Sequence, residues 1–130
     1  MNIQHFIESL AVNSGATHHM SHGVPNYGAF ASIYGHEATA ELPVDFVRRK
    51  QELKVELIAE AVKKYVLSKA ELLADDSNYV GGWWENGNLV LDISRHFNVL
   101  GDAIRFGVEN KQRAVYSADL DKVINIDEVN

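Results

Sequence analysis

The stretch Tyr79-Val80-Gly81-Gly82-Trp83-Trp84-Glu85-Asn86-Gly87-Asn88-Leu89-Val90-Leu91-Asp92-Ile93-Ser94 decides the fold class. Two strand-like runs flank Asn86-Gly87, and Asn and Gly tolerate the positive φ angles that a tight hairpin needs. In the second run Leu89, Leu91 and Ile93 point one way and Val90, Asp92 and Ser94 the other, because side chains alternate along a strand. The apolar set is expected inside and the second set toward solvent. Trp83 and Trp84 must fall on opposite faces, so at least one is expected at the surface or at an interface.

Downstream, Asn98 suits a helix N-cap. Leu100, Ala103, Ile104, Gly107 and Val108 recur at helical spacing and are expected to form the inner face of that helix, with Asn110 ending it. Residues 112–117 and 122–127 read as strands. The C-terminal module, 79–127, is thus β-β-α-β-β: a small antiparallel sheet packed on a helix.

Upstream, Leu42-Pro43 opens a helical pattern, proline being suited to the first helical position. Residues 43–74 are expected to form one long helix, with Phe46, Leu53, Leu57, Ala61 and Tyr65 in one stripe and Val47, Ile58, Val62 and Val66 beside it. Such a helix is about 45 Å long at 1.5 Å per residue, against a radius of gyration near ~14 Å for a domain of this size. Either it breaks, with Ser68 the natural point, or its apolar stripe meets another chain.

Residues 2–12 read as a short helix on Ile3, Phe6, Ile7 and Leu10. Residues 13–42 hold Gly15, Gly23, Gly28 and Gly35, several aromatic rings and little charge. Long structureless loops are uncommon in compact domains, and this composition is not that of disorder. The segment is expected to be an arm ordered by packing, with Tyr27, Phe30 and Tyr34 as partner-binding anchors and Trp83 and Trp84 as further contact residues. The expected class is therefore α+β in one domain: a helical N-terminal half, then the small sheet.

The chain has 130 residues, 46% of them hydrophobic and 23% charged, and a net charge of −6. Residues 1–42 carry Glu8, Glu37 and Glu41 but no Lys or Arg. Phosphate neutralisation needs several cations, and Arg48-Arg49-Lys50 is the one basic run, read as a solvated helix face. Nucleic-acid binding is not expected. There are no cysteines, which removes thiol nucleophiles, disulfides and thiolate metal sites. The first residues lack a signal-peptide pattern, and no apolar run approaches ~18 residues. A soluble protein without a membrane role is expected.

His18, His19 and His22 form the most suggestive chemical cluster. His18 and His22 would share a face if helical, as zinc ligands do, with His36 or Glu37 as a third ligand. The adjacent glutamate of a metalloprotease is missing, so loop histidines without metal are the expected reading and no cofactor is assigned. Ser14, Ser21 and Ser32 lack a nucleophile-elbow context. Asp92 and Glu85 are available as a carboxylate pair, but no pocket is evident and both read as strand-face and turn residues.

The hairpin module resembles a pattern found in uncharacterised bacteriophage and prophage proteins. Val80-Gly81-Gly82-Trp83, Gly87, Leu91-Asp92-Ile93-Ser94, Ala103 with Gly107, and Gln112-Arg113-Ala114-Val115-Tyr116 carry it. The pattern brings no catalytic residues with it. It implies a phage or mobile-element context, in the host cytoplasm or the virion. The expected function is a non-enzymatic protein-interaction protein with a viral or host partner or a homo-oligomer, either a virion or assembly component or an inhibitor of a host defence protein. The alternative is a small metal-dependent enzyme built on the histidine cluster.

Overall fold

A computed structural model describes residues 3–126. Asn2 and Asp127, expected at the ends of a helix and a strand, lie outside the described residues. The fold is α+β. Its elements run α1 (Ile3–Val12), β1 (Gly15–His18), β2 (Ala29–Ser32), β3 (Ala38–Thr39), a 3-10 turn (Phe46–Arg48), α2 (Gln51–Ser68), α3 (Ala70–Leu73), β4 (Asn78–Glu85), β5 (Asn88–Phe97), α4 (Leu100–Glu109), β6 (Ala114–Ser117) and β7 (Lys122–Asn125).

The hairpin forms as expected, with Asn86 and Gly87 at φ 51° and 81° and Trp84 opposite Leu89. The arm does not. Residues 13–42 supply three strands of one antiparallel sheet ordered β1-β4-β5-β2-β6-β7, with β3 also on β5. β2 lies between β5 and β6, so the C-terminal strands do not close a sheet by themselves. The strands were hidden because they are short and poor in β-branched residues. Ala29 and Ala31 are small for a reason: α4 lies over them, and both pack with Ala103. Gly28 admits β2 to this position. It sits at φ +73°, and a Cβ there would stand 2.1 Å from the Phe97 carbonyl oxygen, a contact no side chain tolerates.

The long helix is shortened at both ends. Residues around Pro43 form turns, Phe46 lies in the 3-10 turn, and α2 starts at Gln51. The break falls at Lys69, where φ −112° and ψ 19° end α2 and Ser68 Oγ donates to the Tyr65 carbonyl at 2.7 Å. The overhang is thereby removed. Ile58, Val62 and Tyr65 are the buried face of α2, rather than the stripe through Leu53, Leu57 and Ala61.

Both helix-containing cores lie on one face of the sheet. Val80, Leu89, Leu91 and Ile93 meet Phe6, Ile7 and Leu10 of α1 and the buried face of α2. Ala29, Ala31 and Val115 meet Ala103, with Ile104 half-buried at its side. Val108 is 49% exposed, contrary to expectation: Ala103 and Gly107 point at the sheet, and Val108 is one step further around the helix. The expectation for Val90, Asp92 and Ser94 is also overturned. All three are buried, Asp92 at 5% exposure, because β5 is covered by neighbours along both edges.

Truncating Ile93 to Ala should cost about 2–5 kcal/mol, the range for a fully buried Ile. Val108→Ala should change stability by less than about 0.5 kcal/mol, as surface substitutions do. Denaturant unfolding of the two variants checks the face assignment.

Candidate partner-binding face

Alternation along β4 and β5 puts Tyr79, Gly81, Trp83, Val90, Asp92, Ser94 and His96 on the face opposite the helices. Phe30 and Ser32 join them from β2. Neither helix-containing core includes a residue of this face. The segment between β1 and β2 crosses its end and brings further rings. His22 stacks on His19 at 3.4 Å, His19 meets Tyr79 at 4.7 Å, and Tyr79 meets Phe30 edge-on at 5.3 Å. Phe30 continues to His96 at 4.9 Å, and His96 to Tyr27 at 5.1 Å. His96 Nε2 and the Tyr27 carbonyl are 2.8 Å apart, a bond in which the ring donates. Edge-on rings at these separations are mutually attractive. Tyr116 and Val123, paired across β6 and β7, extend the face at its outer edge.

Of the five expected anchors, the structure gathers three here. Tyr27 is exposed, Trp83 is half-buried, and Phe30 is buried, its ring against those of His96 and Tyr116. Phe30 is thus a support for the surface, not a contact residue on it. Tyr34 is exposed elsewhere, where the chain leaves the sheet after β2. Trp84 belongs to the helix side: it stacks on Phe46 at 5.5 Å and its Nε1 donates to the Leu10 carbonyl at 2.7 Å. Tyr116 and Val123 were missed, although strand alternation alone would have put them on one face.

The histidines separate. His18 is buried on the helix side against Phe6, its Nε2 without a hydrogen-bond partner. Burial lowers its pKa, as do neighbouring positive charges including His19. His36 is remote from that cluster, with Lys69 Nζ donating to its Nδ1 at 3.2 Å and its carbonyl accepting from Tyr65. The groups that do converge are His19, His22 and Asp76, with ligand atoms within 4.8 Å of one another. His19, however, is already committed. Its Nδ1 accepts the N–H groups of Ser21 and His22 at 3.0 and 3.2 Å, which leaves Nε2 to donate to the Asp76 carbonyl at 2.8 Å. A metal at His19 would have to displace one of these sets.

Asp92 is the buried acid of the face. Ser32 donates to its Oδ2, and Oδ1 lies over Gly81, where a Cβ would stand 2.6 Å away. Burial raises its pKa to about 6; the Ser32 hydrogen bond opposes the rise and the like charge of Glu37 adds to it. Across the sheet, burial and then Asp92 raise the Tyr65 hydroxyl well above its usual range.

Comparison with protein families, curated proteins and solved structures finds no match. Among the described residues no helix is long and apolar enough to cross a membrane.

Two outcomes follow from this chemistry. Asp92 binds protons more tightly folded than unfolded, so its contribution to stability grows as pH falls from about 7 and is complete below 3.8, its ordinary value. The gain is about 2–3 kcal/mol. His18 acts oppositely, since the unfolded chain takes up a proton below 6.5 that the folded chain resists. Comparing wild type with Asp92→Asn by thermal melts from pH 4 to 7.5 isolates the first effect, which the variant should lack. For the histidines, equimolar zinc should leave the melting temperature unchanged, while His19→Ala should destabilise by about 1–3 kcal/mol through the unpaired backbone groups it leaves. A zinc-dependent rise in melting temperature that is lost in His19→Ala would support the metal-enzyme alternative.

Proposed function

We propose that this chain is a non-enzymatic protein-interaction protein that engages its partner through the helix-free sheet face. One observation carries the reading. Tyr27 at 51% exposure, Tyr116 at 38% and Val123 at 68% lie on this face around a buried Phe30 and a half-buried His96 whose rings are in contact. Rigid aromatic rings on a packed floor offer contact area at low entropic cost, and Tyr is enriched among residues that dominate binding energy. The Tyr116 hydroxyl is further held by Asp121 at 2.6 Å. By the resemblance of its hairpin module, we place the protein in a phage or mobile-element setting, as an assembly component or an inhibitor of a host defence protein.

The test is affinity purification of the full chain from expressing or infected cells, with wild type and a Tyr27→Ala/Tyr116→Ala variant side by side. Sedimentation over a range of concentrations covers self-association. The expected result is a stoichiometric partner, or a concentration-dependent oligomer, weakened at least tenfold by the double substitution at unchanged melting temperature. A partner or oligomer equally strong in the variant overturns this choice of surface.

A further inference from the structure

The helix side of the sheet is not fully closed. A cavity of about 190 Å³ opens between the end of α1, the 3-10 turn, the first half of α2 and the hairpin tip. Phe46, Ile58 and Trp84 form its apolar body, and Ala11 and the exposed Val47 complete the walls. The body is fixed in shape. Ile58 is fully buried in the core, and the Trp84 ring, tied by Nε1 to the Leu10 carbonyl, lies at 26° to that of Phe46. One charged side chain lines the cavity, that of Lys54. It is half-buried, with its ammonium 5.8 Å from the centre of the Phe46 ring.

We propose that this cavity binds a small free apolar monocarboxylate, its ring or short chain against Phe46 and Trp84 and its carboxylate on the Lys54 ammonium. The site lies across the sheet from the partner-binding face and goes beyond the interaction reading.

Size and charge together select this class. An apolar cavity of about 150 Å³ holds benzene, and pockets for drug-sized ligands begin near about 300 Å³. A space of about 190 Å³ therefore admits one ring or a short chain with a small head and excludes a nucleotide. Lys54 decides the head. It makes no ion pair among the described residues. The α2 positions that face it, three and four residues away, are Lys50, Gln51, Leu57 and Ile58, and none is acidic. Glu52 and Glu56 are two positions away and point elsewhere around the helix. Asp45 is taken by Arg49 at 3.0 Å, and Glu85, beside Trp84, is exposed and outside the walls. The positive charge of the cavity is thus offset by no residue of the chain. The Phe46 ring face is a weak partner for an ammonium, and a carboxylate, which accepts a charge-assisted hydrogen bond, is a stronger one. A neutral guest leaves that ammonium uncompensated as it expels water from it. Because the walls are fixed before binding, little ordering opposes a small guest.

The probes are phenylacetate and its uncharged counterpart phenylacetamide, titrated at neutral pH into the full chain labelled with nitrogen-15. The Trp84 indole N–H resonance should shift saturably, while that of Trp83, on the opposite face, stays in place. The acid should bind about tenfold more tightly than the amide, the difference being one charge-assisted contact. Lys54→Met keeps the length of the stem and removes the charge. It should bring the acid down to the affinity of the amide and leave the amide unchanged. The ratio of the two affinities within each protein is the readout, so a change in stability does not imitate the effect. Ala11→Leu, which fills the cavity, should weaken both probes at an unchanged ratio. Equal affinity for acid and amide in wild type, a preference for the acid that survives in Lys54→Met, or no saturable shift in the millimolar range overturns the proposal. So does an N-acetyl-phenylalanyl-glutamate amide that binds tenfold more tightly than phenylacetate, since the occupant would then be an acidic segment of a protein.

Discussion

The ten-residue strand β5, Asn88–Phe97, has partner strands along both edges, and the rest of the molecule is arranged around that double pairing. β4 covers one edge through the Asn86-Gly87 turn. β2 and β3, from the first third of the chain, cover the other. The hairpin contact is local and costs little loop entropy. The β2 contact joins residues more than sixty positions apart and must close a long loop before it gains anything. Its position between β5 and β6 means that the C-terminal elements depend on the N-terminal ones for a complete sheet.

The placement of the helices follows from which face of β5 is more apolar. Leu89, Leu91 and Ile93 attract α1 and α2, while the small residues Ala29, Ala31 and Ala103 let α4 approach the other end of the same face. All the helical mass goes to one side. The opposite face is left to rings and hydroxyls, and it buries Tyr79 and Phe30 through contacts among themselves rather than under a helix. A face built this way is ordered in the isolated chain yet still presents Tyr27, Tyr116 and Val123 to solvent.

Two buried ionisable groups lie on opposite sides of this sheet with opposite preferences. His18 and Asp92 are each held toward the neutral form by burial. For the histidine that means losing a proton, and for the acid keeping one. Acidification therefore favours the folded chain at one site and disfavours it at the other. The acid is the more unusual of the two, because a hydroxyl alone is a weak substitute for the water it has lost.

The sequence by itself determined the α+β class, the hairpin with its turn and the inward set Leu89, Leu91 and Ile93, and it offered Ser68 as the point of a helix break without choosing between a break and a contact with another chain. These are local facts, carried by period-two and helical spacing, by the left-handed tolerance of Asn and Gly, and by helix length. Only the tertiary structure decided that residues 13–42 are strands, since runs such as Ala29-Phe30-Ala31-Ser32 become strands by the company they keep and not by propensity. It also decided that Asp92 is buried, because alternation names a face but not what lies over it. In the same way Tyr27, Phe30 and Trp83 came onto one surface while Tyr34 and Trp84 did not. His19, His22 and Asp76 converged although sequence spacing had paired His18 with His22, because β1 sends His18 to the helix side and its neighbour His19 to the other.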